Sequence, residues 1–271
     1  MAYQFNNALT LAKRQFKQIR LGLQAAPNCG KTTSALTFPN VVVADFDNKL
    51  SATNAKLAGK ELADVTIIPF YDADFCDSLV PRKNKLFAPN KRDAFTAWLN
   101  KEAVNMQQDQ TLIIDSWTML QAAFDQQTGY EPAISRNGSE DKFVFWARKV
   151  EFSKEVCERL KTLNCHVVVT FHETIDRDDE GRPTGKMKPV MQGQFADQLA
   201  GHFTDWFRQH AVAKLQDPNN PRSAVIGTEY LWQTTADNVC NCGTHIHGLK
   251  PRVPATYDVF INPDKYRISV S

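Results

Sequence analysis

The sequence predicts an α/β fold: a mostly parallel sheet with helices on both faces and a C-terminal β extension. Three observations carry this. Short apolar runs recur along the chain, at Ile19 to Ala25, Val41 to Ala44, Val65 to Phe70, Thr111 to Ile114 and Cys165 to Phe171, and longer polar or helix-patterned stretches separate them. Strands covered on both faces read as such runs, and strands that alternate with helices pair parallel. From about residue 205 the pattern changes, because Asp205 to Lys214 and Thr228 to Gln233 read as strands with no helix between them. These are expected to extend one edge of the sheet antiparallel to the rest. Finally, 42% hydrophobic and 23% charged residues in a chain of 271 give ample core and exclude a disordered or repetitive class.

Residues 1–18 form an N-terminal arm, and 19–271 read as one domain. The run Ile19 to Ala25 is the first strand; the turn Pro27 to Gly30 follows, and Lys31 opens a helix. The second run ends in Asp45-Phe46-Asp47-Asn48, and the third precedes a long polar segment from Asp72 to Asn90. In Lys91 to Met106 the apolar residues Phe95, Trp98, Leu99 and Val104 recur at helical spacing. The fourth run passes directly into Asp115. Phe143 to Leu163 is a long helix with Phe145, Val150, Phe152, Val156 and Leu160 on one side, and it leads into a strand ending at His172 and Glu173. The net charge of +2 argues for no partner by itself. No apolar run approaches the roughly 18 residues of a spanning helix, and the N-terminus has no signal-peptide core. Six cysteines in this length do not make a disulfide scaffold, so reduced thiols in a cytoplasm are expected.

Chemistry enters at Ala25-Ala26-Pro27-Asn28-Cys29-Gly30-Lys31-Thr32, a GxxxxGK[ST] pattern with Ala at the first Gly position. Such a loop turns backbone N–H groups inward around phosphate. Here Asn28, Cys29 and Gly30 would form the cradle. Lys31 would reach the β- and γ-phosphates of ATP, and the Thr32 hydroxyl would hold Mg²⁺. A GKT after a strand also arises by chance, but the strand–turn–helix context argues against that. A true phosphate loop needs a second acid at the end of another buried strand. Leu112-Ile113-Ile114-Asp115-Ser116 supplies it, with Asp115 as the metal-side carboxylate.

These segments, AAPNCGKTTSAL, VVVADFDN, TLIIDSWTML and HVVVTFHE, resemble the RecA-like P-loop ATPases over roughly residues 19 to 210. In particular, they resemble phage nucleotide-binding proteins related to the RecA-core single-strand annealing ATPases. The resemblance implies a Mg²⁺-dependent ATPase stimulated by single-stranded DNA, working in phage recombination, annealing or replication in the host cytoplasm. It implies a homo-oligomer acting beside a single-strand-binding protein. It puts a catalytic carboxylate just after the second strand, at Asp47, where relatives commonly carry Glu; Asp45 is the alternative. It also makes His172 a polar sensor and has Thr33 donate to the α-phosphate. Phe5-Asn6-Asn7-Ala8 has the FxxA spacing by which recombinases hook a neighbouring subunit, which makes the arm a candidate oligomerisation segment. Whether Lys250 or Arg252 reaches a neighbour's nucleotide stays open.

Two segments are candidates for the DNA path. Pro81 to Arg92 carries Arg82, Lys83, Lys85, Lys91 and Arg92 around Phe87, a pairing of cations and aromatic that suits single strands. Thr174 to Phe195 is acidic in its first half and carries Arg182, Lys186 and Lys188 in its second, and it reads equally well as a solvated hairpin. Cys240, Cys242, His245 and His247 offer four possible zinc ligands within eight residues, but closer together than the usual paired spacing, so a loop of unrelated Cys and His is the stronger reading. The competing readings are a small-molecule or nucleotide kinase, and a P-loop switch or loader that does not touch DNA. A kinase lid rich in arginine is hard to find, since Thr174 to Phe195 holds only Arg177 and Arg182.

Overall fold

The computed structural model describes residues 18–71, 90–128, 142–191, 195–217, 219–220 and 222–269. Its strands are β1 (Arg20–Ala25), β2 (Val41–Asp45), β3 (Thr66–Pro69), β4 (Thr111–Asp115), β5 (His166–Arg177), β6 (Pro183–Pro189), β7 (Asp205–Leu215), β8 (Val225–Gln233) and β9 (Arg252–Pro254). Its helices are α1 (Lys31–Ala35), α2 (Ala52–Leu57), α3 (Lys91–Lys101), α4 (Trp117–Thr128), α5 (Lys142–Thr162), α6 (Phe195–Leu199) and α7 (Asp258–Ile261). Among the described residues the strands order as β3-β2-β4-β5-β1-β7-β8-β9, with β6 pairing β5 beside that path. The arm with its Phe5–Ala8 pattern, and most of the basic stretch from Pro81, lie outside the described residues. No helix among the described residues is long and apolar enough to cross a membrane.

Strand alternation divides the apolar side chains between the two faces of the sheet. β4 gives Leu112 and Ile114 to one cluster and Ile113 to the other, and β5 gives Val167, Val169 and Phe171 to the first and Val168 to the second. The first cluster is closed by Phe95 and Trp98 of α3, Leu120 and Phe124 of α4, and Val156 and Leu160 of α5. The second is closed by Ala35 of α1, Phe38, Trp232 of β8 and Val259 of α7. Both faces of β4 are therefore dry, which is why it reads as an unbroken apolar run.

The C-terminal extension corrects one expectation. β7 runs parallel to β1, pairing Leu21 with Asp205 through Gln24 with Arg208, and only β8 turns back antiparallel. After β6 the chain returns through α6 and a 3₁₀ turn at Ala200–His202, so it enters β7 from the same end as β1. A crossover of that kind produces a parallel neighbour. β5 also runs past the expected Phe171 and forms an antiparallel hairpin with β6.

The β1–β7 contact depends on a residue without a side chain. A Cβ on Gly22 would lie 2.2 Å from Cε3 of the buried Trp206 indole. Gly22→Ala should therefore destabilise the fold by about 1–3 kcal/mol through overpacking. Urea unfolding of the variant checks this, and an unchanged midpoint would mean that Trp206 has room to move.

Candidate nucleotide site

Four strand ends build the site. β1 and β5 are neighbours, β5 also pairs β4, and β4 pairs β2, all parallel. Their carboxyl ends therefore open into one crevice, the usual place for a ligand in an open α/β sheet. After β1 the chain turns through Ala26 to Gly30. Asn28 (φ 63°) and Gly30 (φ 76°) are both left-handed, and such successive turns gather backbone N–H groups into an anion-binding concavity. Gly30 is required twice over, because a Cβ there would also fall 2.4 Å from the Tyr230 ring.

Lys31 is 7% exposed, and its Nζ donates to the carbonyls of Ala25 (3.1 Å) and Ala26 (2.9 Å) at the head of the loop. Burial pushes its pKa down from the ordinary lysine value, with Asp115 pulling the other way. Thr32 Oγ1 donates to Asp115 Oδ2 at 2.7 Å, and Thr170 Oγ1 on β5 donates to Asp115 Oδ1 at 2.6 Å. Asp115 is 4% exposed, and burial pushes its carboxyl up while these two hydroxyls resist the shift. The Asp115–Ser116 peptide bond is cis. A hydroxyl and a carboxylate in direct contact are hard oxygen donors of the kind Mg²⁺ takes, usually with one or two protein ligands beside phosphate and water. The residues present fit that ion. The Thr33 side chain accepts from Asn54 Nδ2 of α2 at 3.1 Å, which ties the loop helix to the segment after β2.

The two acids after β2 separate clearly. Asp45 Oδ1 accepts the backbone N–H groups of Asp47 (3.0 Å) and Asn48 (2.8 Å), so it caps the turn. Burial pushes its carboxyl up. Asp47 instead faces the other strand ends: its Oδ2 lies 3.5 Å from His172 Nε2, and its Oδ1 accepts from Ser116 Oγ at 3.2 Å. Burial would raise its carboxyl, but the bond to His172, the Lys49 ammonium 3.7 Å away and the Ser116 hydroxyl together hold it below the usual carboxylate range. Asp47, His172 and Asp115 thus close around the same crevice as Lys31 and Thr32. Glu173, next to His172, is spent elsewhere, since Arg208 grips it with two bonds of 2.9 and 3.0 Å.

Sequence reasoning did not find Thr170, Gln209 or Tyr230. Gln209 Nε2 donates to the Cys29 carbonyl at 2.6 Å. No local pattern marks these residues, because their partners lie 55 or more positions away and meet only through strand order. The DNA candidates fare differently. Arg92 bonds Asp93 and Thr128 and lies 5.5 Å from the Phe124 ring centroid, so it belongs to the fold rather than to a free basic patch. In the β5–β6 hairpin, Lys188 pairs with Asp176, and Arg182 pairs with Asp178 and Glu180. These pairs engage Arg182 and Lys188 within the hairpin itself.

The Cys/His cluster does not assemble. Among the described residues, no group of three or more His, Cys, Asp or Glu is placed to hold a metal ion. Cys240 and Cys242 lie 3.8 Å apart, whereas His245 Nδ1 sits 2.9 Å from the fully buried Asp205. That bond to Asp205 outweighs burial and raises the His245 pKa above its ordinary value of 6.5. Folding therefore takes up a proton here. The stabilisation is fully present below the ordinary value and is lost as pH rises through the raised one. His245→Gln should flatten this part of the pH profile of the urea midpoint. A profile identical to wild type would assign that pH dependence to another group.

With this geometry in place, comparison with known proteins gives one family. The model for the AAA_24 family, described as an AAA domain, matches residues 17–230. No curated protein sequence matches the chain. Among solved structures, the chain is similar to the RadB recombinase at 14% identity and a TM-score of 0.37, over 79% of this chain and 87% of that one. Because the family match spans well over half of the sequence and contains every strand end of the crevice, the chain belongs to the AAA_24 family of AAA domains, nucleotide-binding ATPases.

Proposed function

We propose that the chain binds ATP with Mg²⁺ in this crevice and hydrolyses it, and that single-stranded DNA stimulates the turnover. The observation that carries the reading is the convergence of Lys31, Thr32, Asp115, Asp47 and His172 from four strand ends. The 26–30 backbone receives the phosphates, and Lys31, already gathered against the loop carbonyls, offers its ammonium to them. Thr32 and Asp115 hold the metal side. Bound there, Mg²⁺ would offset charge developing on the phosphate oxygens.

Asp47 is the group for the attacking water. Its carboxylate is ionised near neutrality and can only accept, so it orients the water and takes its proton as the water oxygen bonds to the γ-phosphorus and the β–γ bridging oxygen leaves with ADP. Ser116 and His172 fix its two oxygens. His172 also stands where β5 leaves the parallel sheet and enters the hairpin with β6. A strand of nucleic acid that engages the hairpin would thereby act on one end of the Asp47–His172 pair. From the sequence resemblance alone we infer the wider role: an oligomeric RecA-like protein in recombination, annealing or replication of phage DNA, alongside a single-strand-binding protein in the host cytoplasm. Lys186 is exposed on the hairpin and offers a cation there.

Steady-state hydrolysis with and without an oligonucleotide tests the reading. Lys31→Ala should lose nucleotide binding and turnover with the fold intact. Asp47→Asn should bind ATP but turn over about 10²- to 10⁴-fold more slowly, the usual loss for a positioned base. Asp45→Asn should retain turnover, since an amide oxygen still caps the turn. In His172→Ala the ratio of rates with and without oligonucleotide should fall to one. A dead Asp45→Asn beside a normal Asp47→Asn would reverse the assignment. A wild-type rate indifferent to oligonucleotide would remove the DNA.

A further inference from the structure

We propose that Gln209 is a positioning residue that sets which way the Cys29–Gly30 peptide of the phosphate loop faces; this rests on the nucleotide reading above. Gln209 on β7 is 1% exposed and lies directly opposite Trp232 on β8, which is fully buried. Its Oε1 accepts from Trp232 Nε1 at 3.1 Å, and its Nε2 donates to Cys29 O at 2.6 Å. An indole N–H can only donate, so the amide oxygen must face Trp232 and the amide nitrogen must face the loop. That orientation leaves Cys29 no choice but to present its carbonyl to β7. In a trans peptide the C=O and the following N–H point in opposite directions, so the Gly30 N–H is turned away from β7.

This is the polarity an anion-binding loop needs. With the peptide flipped, a carbonyl would face the phosphates and the N–H would face Gln209, and one attractive contact would become a repulsive one. Tyr230 secures the same residue from outside. It stands two positions before Trp232, on the same face of β8, and its ring occupies the space where a Gly30 side chain would lie. The β7–β8 pair thus holds the left-handed Gly30 on one side and its preceding carbonyl on another. Nothing in the GKT motif encodes this, since the wall is built about 180 residues downstream.

The test is nucleotide affinity, measured by titration calorimetry with ADP and ATP, beside urea unfolding without nucleotide. Gln209→Met removes both bonds at similar volume. Its nucleotide Kd should rise about 10- to 100-fold, the worth of a donor aimed at a charged group. The loss should appear in KM far more than in kcat, because Asp47 and His172 are untouched. Trp232→Phe keeps Gln209 but frees its amide to rotate, and should weaken binding by a smaller factor in the same direction. It provides the reading if Gln209→Met does not fold. If the folded variants bind nucleotide like wild type and differ only in unfolding midpoint, Gln209 merely satisfies a buried indole and the proposal is overturned. Lys31→Ala separates the two levels. Should it also bind normally, the nucleotide site itself is wrong; should it alone lose binding, only the role of Gln209 falls.

Discussion

A carboxylate at 4% exposure is the constraint around which this structure is arranged. Asp115 ends a strand that is dry on both faces, and in such a place a carboxylate must be supplied with donors or give up its charge. The donors come from two directions: Thr32 from the loop after β1, and Thr170 from β5. Both can reach only if β5 lies beside β4 and β1 lies beyond it, which is the observed order. Strand order, loop position and the hydrogen bonding of Asp115 are thus one requirement. The same order sets β5 between the phosphate loop and Asp115, so that His172 at its end meets Asp47 arriving from β2.

The two acids after β2 show how position overrides residue type. Asp45 and Asp47 are two residues apart, and sequence leaves either eligible. In the fold, Asp45 turns its carboxylate back on its own chain and takes the next N–H groups, a local competition that short acidic side chains win readily. Asp47, freed by that turn, points across to β4 and β5. The opposite pKa directions follow from this. Burial dominates at Asp45, whereas at Asp47 it is outweighed by a histidine, a lysine and a serine. The capping acid thereby makes the facing acid available.

Legibility in the sequence divides along the same line. The five parallel strands of the core, the turn and helix after β1, the strand that ends at Asp115 and the helix through Phe152 and Leu160 are local patterns, and each was readable from a window of a few residues. The direction of β7 was not. It depends on the return path through α6, five residues long and too short to leave a periodic signal. Thr170 was likewise invisible, because a threonine in an apolar strand is ordinary β composition until the neighbouring strand is known. The CNCGTHIH stretch left zinc open against an unrelated loop. Its ligand types are real, but buried Asp205 engages His245 at 2.9 Å, and no group of three or more such side chains among the described residues is placed to hold a metal.

The C-terminal β extension therefore has a physical reason to be continuous with the core. A phosphate loop is a run of strained turns with few contacts of its own, and left-handed residues persist only where their surroundings hold them. On the inner side, Lys31 and the Thr32–Asp115 bond hold the loop. On the outer side the neighbour of β1 is β7, parallel to it, with Gln209 against Cys29 and the β8 residue Tyr230 against Gly30. Had β7 been antiparallel, the alternation and register that bring Gln209 level with the loop would change, and the Cys29 carbonyl would lose its donor. The strand that departed from expectation is thus the one whose direction the loop after β1 needs.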